Sequence, residues 1–158
     1  MRKRLFLIFI FFAIFIGKPP LFGDDDIEKE LNQFFDHLPP TYSKGHSDMM
    51  QKIPEFGKYA LPVLTMKLKD QDARKRIMAA EFLSLLGADA KEAVDDLLKA
   101  LDDPNVDVQI RAAGALIDID PESEEILKTV SQKMDDPHKM IRINAIHIVG
   151  EKNIPKLG

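Results

Sequence analysis

Asp102-Asp103-Pro104 recurs 33 residues later as Asp135-Asp136-Pro137, and one step of the same length in the other direction lands on Lys69-Asp70-Gln71. The same offset carries Leu64 to Leu97 to Val130, Leu68 to Leu101 to Met134, Ile77 to Ile110 to Ile143, Ala79 to Ala112 to Ala145, and Leu83 to Leu116 to Val149. A fixed period of this length marks a repeat architecture. Within a period the apolar spacing is helical twice: Ala60, Leu61, Leu64 and Leu68 form one stripe, and Ala79, Phe82, Leu83 and Leu86 form another. Each period therefore reads as a helical hairpin whose turn carries Asp. In two of the three a Pro follows, which suits the opening turn of a second helix because its missing N–H has no partner to lose there.

This reading predicts first helices near 57–69, 90–101 and 123–134 and second helices near 72–86, 105–119 and 138–151, with Gly87 and Asp120-Pro121 at the joints. The fold class expected is all-α.

Outward from the repeats, the chain begins with Arg2, Lys3 and Arg4, an unbroken apolar run from Leu5 to Ile16, then Gly17, Lys18, Pro19 and Pro20. Basic residues followed by a short apolar stretch are the order of a secretory signal. Twelve helical residues cover about 18 Å, short of the roughly 30 Å hydrocarbon layer, and lengthening the run would carry Lys18 and two prolines into lipid. Cleavage after Gly23 is expected, giving an exported product, periplasmic or secreted, with no stable membrane span once processed. The whole chain has 22 Lys and Arg against 26 Asp and Glu; losing Arg2, Lys3, Arg4 and Lys18 leaves 18 against 26, a net charge of −8.

Residues 24–54 read as an N-terminal helical cap and loop. Asp24 to Asp26 place negative charge at a helix start, and Ile27, Leu31, Phe34, Phe35 and Leu38 share a face before Pro39-Pro40. A second short helix is expected from Ser47 to Ile53 with Ser47 as its cap. The repeats then occupy 55–87, 88–120 and 121–152, and 153–158 is a tail.

Asp70 followed by Arg76, Asp136 followed by Arg142, and the Ala79-Ala80 and Ala112-Ala113 pairs each with a Leu beyond resemble the HEAT repeat, most closely the short bacterial HEAT-like or phycobilin-lyase-like form. The resemblance spans about residues 55–152. It implies a right-handed α-solenoid of about three hairpins. It also implies a ladder of charges between successive repeats, formed by Asp70, Asp103 and Asp136 with Arg76 and Arg142; Gln109 stands where the second repeat would have Arg, so a weaker or missing rung is implied there. The ankyrin Thr-Pro-Leu-His turn and the Trp and Tyr landmarks of tetratricopeptide repeats are absent from this sequence.

The periodicity also assigns faces. Positions 79, 82, 83 and 86 with their equivalents face the partner helix, and 77, 80 and 84 with theirs face a neighbouring repeat. An open face remains: Arg74, Met78, Glu81 and Leu85, then Asp107, Arg111, Gly114 and Asp118, then Met140, Asn144, His147 and Glu151. In HEAT-like solenoids second helices line the concave side, so this surface is the expected protein-binding site. Met134, Ile143 and Ile146 are candidates for an apolar C-terminal edge that could self-associate.

Chemistry is poorly served by comparison. With no Cys, thiolate zinc sites, cysteine nucleophiles and disulfides are excluded. His147 and Glu151 could share a metal but lack further ligands, and His37, His46 and His138, placed at a helix end, in a loop and in a turn, have no nucleophile arrangement around them. The acid pairs Asp95-Asp96, Asp102-Asp103 and Asp135-Asp136 suit helix starts and turns. Dispersed basic residues argue against nucleic acid. The expectation is a scaffold or interaction module with no cofactor and no catalytic residue; the alternative, implied by the family resemblance, is a bilin-lyase-like enzyme or chaperone.

Overall fold

The computed structural model describes residues 23–41 and 43–136, together with Lys139, Arg142, Ile143, Ile146 and Gly150. The expected signal segment before Gly23, most of the second helix expected near 138–151, and the tail lie outside the described residues. The described chain is all-helical, with no strand, and divides into two compact units, Met1–Val63 and Leu64–Gly158.

In the first unit, α1 spans Asp24–Asp36 and α2 spans Lys44–Phe56. The amide of Gly23 donates to Asp26 Oδ2 at 3.1 Å, so one member of the acidic triplet satisfies a free donor at the helix start. Ile27, Leu31 and Phe35 are fully buried, whereas Phe34 is half-buried and meets Phe35 edge to face, and Leu38 lies beyond the helix end. The buried face of α1 is thus narrower than the five residues expected. Both helices pack on a 3-10 turn at Gly57–Ala60. Met49, Ile53 and Phe56 are the buried apolar residues α2 contributes, and Lys52 pairs with Glu30 of α1.

The α2 boundaries differ from expectation. Ser43, in extended conformation, is the cap, its Oγ accepting from the amide of His46 at 3.3 Å, so Ser47 falls inside the first turn. Starting at Lys44 brings His46 into the helix, on the same inward stripe as Met49, Ile53 and Phe56. His46 accordingly lies in a helix, 2% exposed, and not in a loop.

Gly57 and Gly87 have φ of 53° and 51°, a backbone region that residues with a Cβ enter only at a cost. Each reverses the chain into a 3-10 turn, Gly57–Ala60 or Gly87–Ala93, which leads into a short α-helix: α3 at Leu61–Lys67 and α5 at Val94–Ala100. The first helices of the repeats are therefore shorter and tighter at their start than an even α-helix.

In the second unit, α4 at Ala73–Leu86 and α6 at Val106–Ile119 make the most extensive contact, and α5 and the Gly87–Ala93 turn pack on α6. Helix α7 at Glu124–Gln132, capped by Ser123, also contacts α6 and passes into a 3-10 turn at Lys133–Asp135. The predicted core positions Ala79, Phe82, Leu83 and Leu86 and their equivalents Ala112, Ala115, Leu116 and Ile119 are all at most 7% exposed. Burying side chains of this size stabilises by about 1.5–3 kcal/mol each for the larger ones.

Pro104 lies one position before the cap of α6, outside the helix. Asn105 is the cap, its Oδ1 accepting from the amides of Asp107 at 2.9 Å and Val108 at 3.2 Å; Asp72 does the same for α4 through the amide of Arg74 at 2.9 Å. These two residues are 33 apart, so the cap is itself a repeating feature.

Candidate functional site

The corners between helices are built by one hydrogen-bond pattern used three times. Arg76 Nη1 donates to the carbonyl of Asp70 at 2.9 Å, Gln109 Nε2 to that of Asp103 at 2.6 Å, and Arg142 Nη1 to that of Asp136 at 2.8 Å. The Asp side chains hold the turn from the other side: Asp70 Oδ1 accepts from the amide of Asp72 at 2.9 Å and Asp103 Oδ1 from that of Asn105 at 2.8 Å. Arg76 then reaches into the next repeat, Nε to Asp103 Oδ2 at 2.7 Å and Nη2 to Asp103 Oδ1 at 2.8 Å, with 12% and 10% of the two side chains exposed. The carboxylate bond raises the already high guanidinium pKa against the opposing effect of burial.

Along the second helices, Arg74, Asp107, Arg111 and Asp118 are exposed, and Glu81 and Leu85 are half-buried. Met78 is the exception. It is 3% exposed and belongs to the core, although its repeat equivalent Arg111 is exposed. A thioether chain fills interior space at no charge penalty, whereas a guanidinium at the matching position must stay solvated or paired. The open face is correspondingly narrower at the first repeat. Asn144, His147 and Glu151 lie outside the described residues.

The exposed charges are not equivalent. Arg74 is tied to its own cap, Nη2 to Asp72 Oδ2 at 2.9 Å, and that bond holds the Asp72 carboxyl below the ordinary aspartate range. Ser84 Oγ donates to Asp118 Oδ2 at 2.6 Å, bridging α4 and α6. The Arg111 side chain makes no hydrogen bond or ion pair within the described residues.

Two further ties were not read from the sequence. Lys69 pairs with Asp96 at 2.8 Å, its hydrogen bond lowering the Asp96 pKa, and Lys133 pairs with Asp102 at 2.8 Å. Their signal was available, since each joins a basic residue near a corner to an acid on an adjacent repeat, but the pairing requires knowing which helices adjoin.

An open cleft of about 390 Å³ lies near the second corner, bounded by Leu98, Leu101, Asp102, Thr129, Lys133 and Asp136 among others. Among the described residues no group of three or more His, Asp or Glu side chains could hold a metal ion. No helix of those residues is long and apolar enough to cross a membrane. His37 sits at the end of α1, where its Nδ1 lies 3.3 Å from the carbonyl of Gln33. Ile143 and Ile146 are 45% and 52% exposed.

No protein-family model matches the chain, and no curated protein matches it in sequence.

Proposed function

We propose that this chain is an exported, HEAT-like α-solenoid that works by binding another protein along the exposed face of its second helices. The observation that carries the reading is the corner geometry. One side chain six residues after each corner Asp donates to that Asp carbonyl in all three repeats, and Arg76 links one corner to the next. Corners joined this way support a single-file stack of hairpins, in which second helices share one continuous wall. Such a wall is a binding surface rather than an enclosed reaction chamber.

Arg111 is the central anchor of the proposed surface, being exposed on the middle repeat and flanked on its own helix by Asp107 and Asp118. Arginine is among the residues that dominate interface energetics. Export is supported by the order of Arg2-Lys3-Arg4 and the apolar run Leu5 to Ile16, and the acidic mature balance favours a partner with basic character on the facing surface.

The test uses the processed chain as bait against envelope and culture-medium proteins, beside the doubly reversed variant Arg111→Glu with Glu81→Lys. Loss of a captured partner at unchanged helicity supports the wall as the binding face; capture that survives the reversal rejects it. N-terminal sequencing of the same exported material tests the address, because an intact Met1 contradicts cleavage near Gly23.

A further inference from the structure

The chain has no Cys, so its seven Met residues supply its only sulfur. Among those whose side chains are described, Met49 and Met78 are 6% and 3% exposed and Met50 is half-buried. Met66 differs from all of them. It lies one residue before the end of α3 and is 54% exposed, more than any other large apolar side chain among the described residues.

The repeat explains the placement. One and two periods on, the same position holds Lys99 and Gln132, both exposed, so this side of each first helix faces water. Pro62, one turn before Met66, and Lys69, three residues after it, are exposed as well. The local structure closes through the backbone and the neighbours: the Met66 carbonyl accepts from the amide of Lys69 at 3.1 Å, and Leu64 and Leu68 are 0% and 4% exposed. The core is thus filled by the residues on either side, and the Met66 sulfur stands in solvent. Oxidation of sulfur follows access.

We infer that Met66 is a site of reversible oxidation by hydroperoxides, separate from the binding face of the second helices. A sulfur lone pair attacks one peroxide oxygen; the S–O bond forms as the O–O bond breaks, and the rest of the peroxide leaves as water or an alcohol. Sulfur loses the two electrons that the peroxide gains. The reverse step needs an outside dithiol reductant, because the chain has no Cys: two thiols become a disulfide and the oxygen departs as water. The sulfoxide is polar where the thioether was not. At Met66 water solvates it, whereas at Met78 the same group would be desolvated in the core, at a cost in stability. The chain therefore takes up an oxidising equivalent where its packing does not change.

Timed exposure of the full chain to hydrogen peroxide, followed by peptide mapping in a mass spectrometer, tests the assignment. Met49 and Met78 react only through locally opened forms, so sulfoxide should accumulate at Met66 at least about tenfold faster than at either. A methionine sulfoxide reductase supplied with dithiothreitol should restore the Met66 thioether without denaturant. Met66→Gln, which puts a polar chain of similar length in the same place, should shift the melting temperature by no more than about 2 °C. Met78→Gln should lower it several times as far or prevent folding. Equal oxidation rates at Met66 and Met78, a Met66 sulfoxide that resists the reductase in the folded chain, or a Met66→Gln variant as unstable as Met78→Gln overturns the assignment.

Discussion

The Arg76 guanidinium holds both carboxylate oxygens of Asp103, a residue 27 positions away, while a third nitrogen holds the carbonyl of Asp70. One side chain thus closes its own corner and fastens the next. Because both partners are largely buried, removing one leaves the other desolvated and unpaired. Arg76→Ala is expected to cost about 3–5 kcal/mol of stability, and Arg76→Lys most of that, since an ammonium cannot form the fork. Urea denaturation of Arg76→Ala, Asp103→Ala and the double variant checks this: the coupling should exceed about 1.5 kcal/mol, and additive losses would show that the bond contributes nothing of its own.

Gly87 carries φ of +51° at the point where α4 ends and the 3-10 turn begins. A Cβ there would meet the Asp118 carbonyl at an ordinary 3.8 Å, so space is not the obstacle. The backbone is. Gly87→Ala should destabilise by about 1–3 kcal/mol from conformational strain alone, read as a lowered urea midpoint with an unchanged slope.

Two serines four residues apart separate a true cap from a plausible one. Ser43 Oγ accepts from the amide of His46, whereas Ser47 is an exposed residue inside the helix. Ser43→Ala should cost about 1 kcal/mol, while Ser47→Ala should be neutral or slightly stabilising, alanine being the better helix former. Asn105→Ala, which removes the acceptor for two amides at the start of α6, should match the Ser43 loss. Thermal melts of the three variants distinguish the two caps from the helix-interior serine.

Much of this was legible in the sequence for a physical reason: a helix that buries one stripe must repeat its apolar residues every three or four positions, so Ala79, Phe82, Leu83 and Leu86 and their equivalents announced their burial. The corner aspartates were legible as well, because a turn that donates amides inward favours short acceptor side chains. Met78 was not. Its face on the helix is the one that leaves Arg111 in solvent, and only tertiary surroundings decide which of two equivalent positions is covered. The same holds for Lys69 with Asp96 and Ser84 with Asp118, whose pairing depends on helix adjacency and not on spacing. The 3-10 starts after Gly57 and Gly87 escaped because propensity treats both helical types alike.

The Lys69 and Asp96 pair makes stability depend on acid in a defined direction. The Lys69 hydrogen bond lowers the Asp96 pKa, with Lys99 adding to it and partial burial opposing both. A carboxyl with a folded-state pKa below its unfolded value of about 3.9 contributes in full above that unfolded value, and the contribution is lost as pH falls through the folded one. Lys69 is mostly exposed, so solvent screening keeps the effect to no more than about 1 kcal/mol. Asp96→Asn should therefore melt below the wild type at pH 7, and the gap should close as the medium is acidified through and beneath the ordinary aspartate range. Raising the salt at pH 7 should narrow the same gap. A difference in melting temperature that stays constant down to strong acid would mean that Asp96 acts through packing or its place in the first turn of α5, and not through its charge.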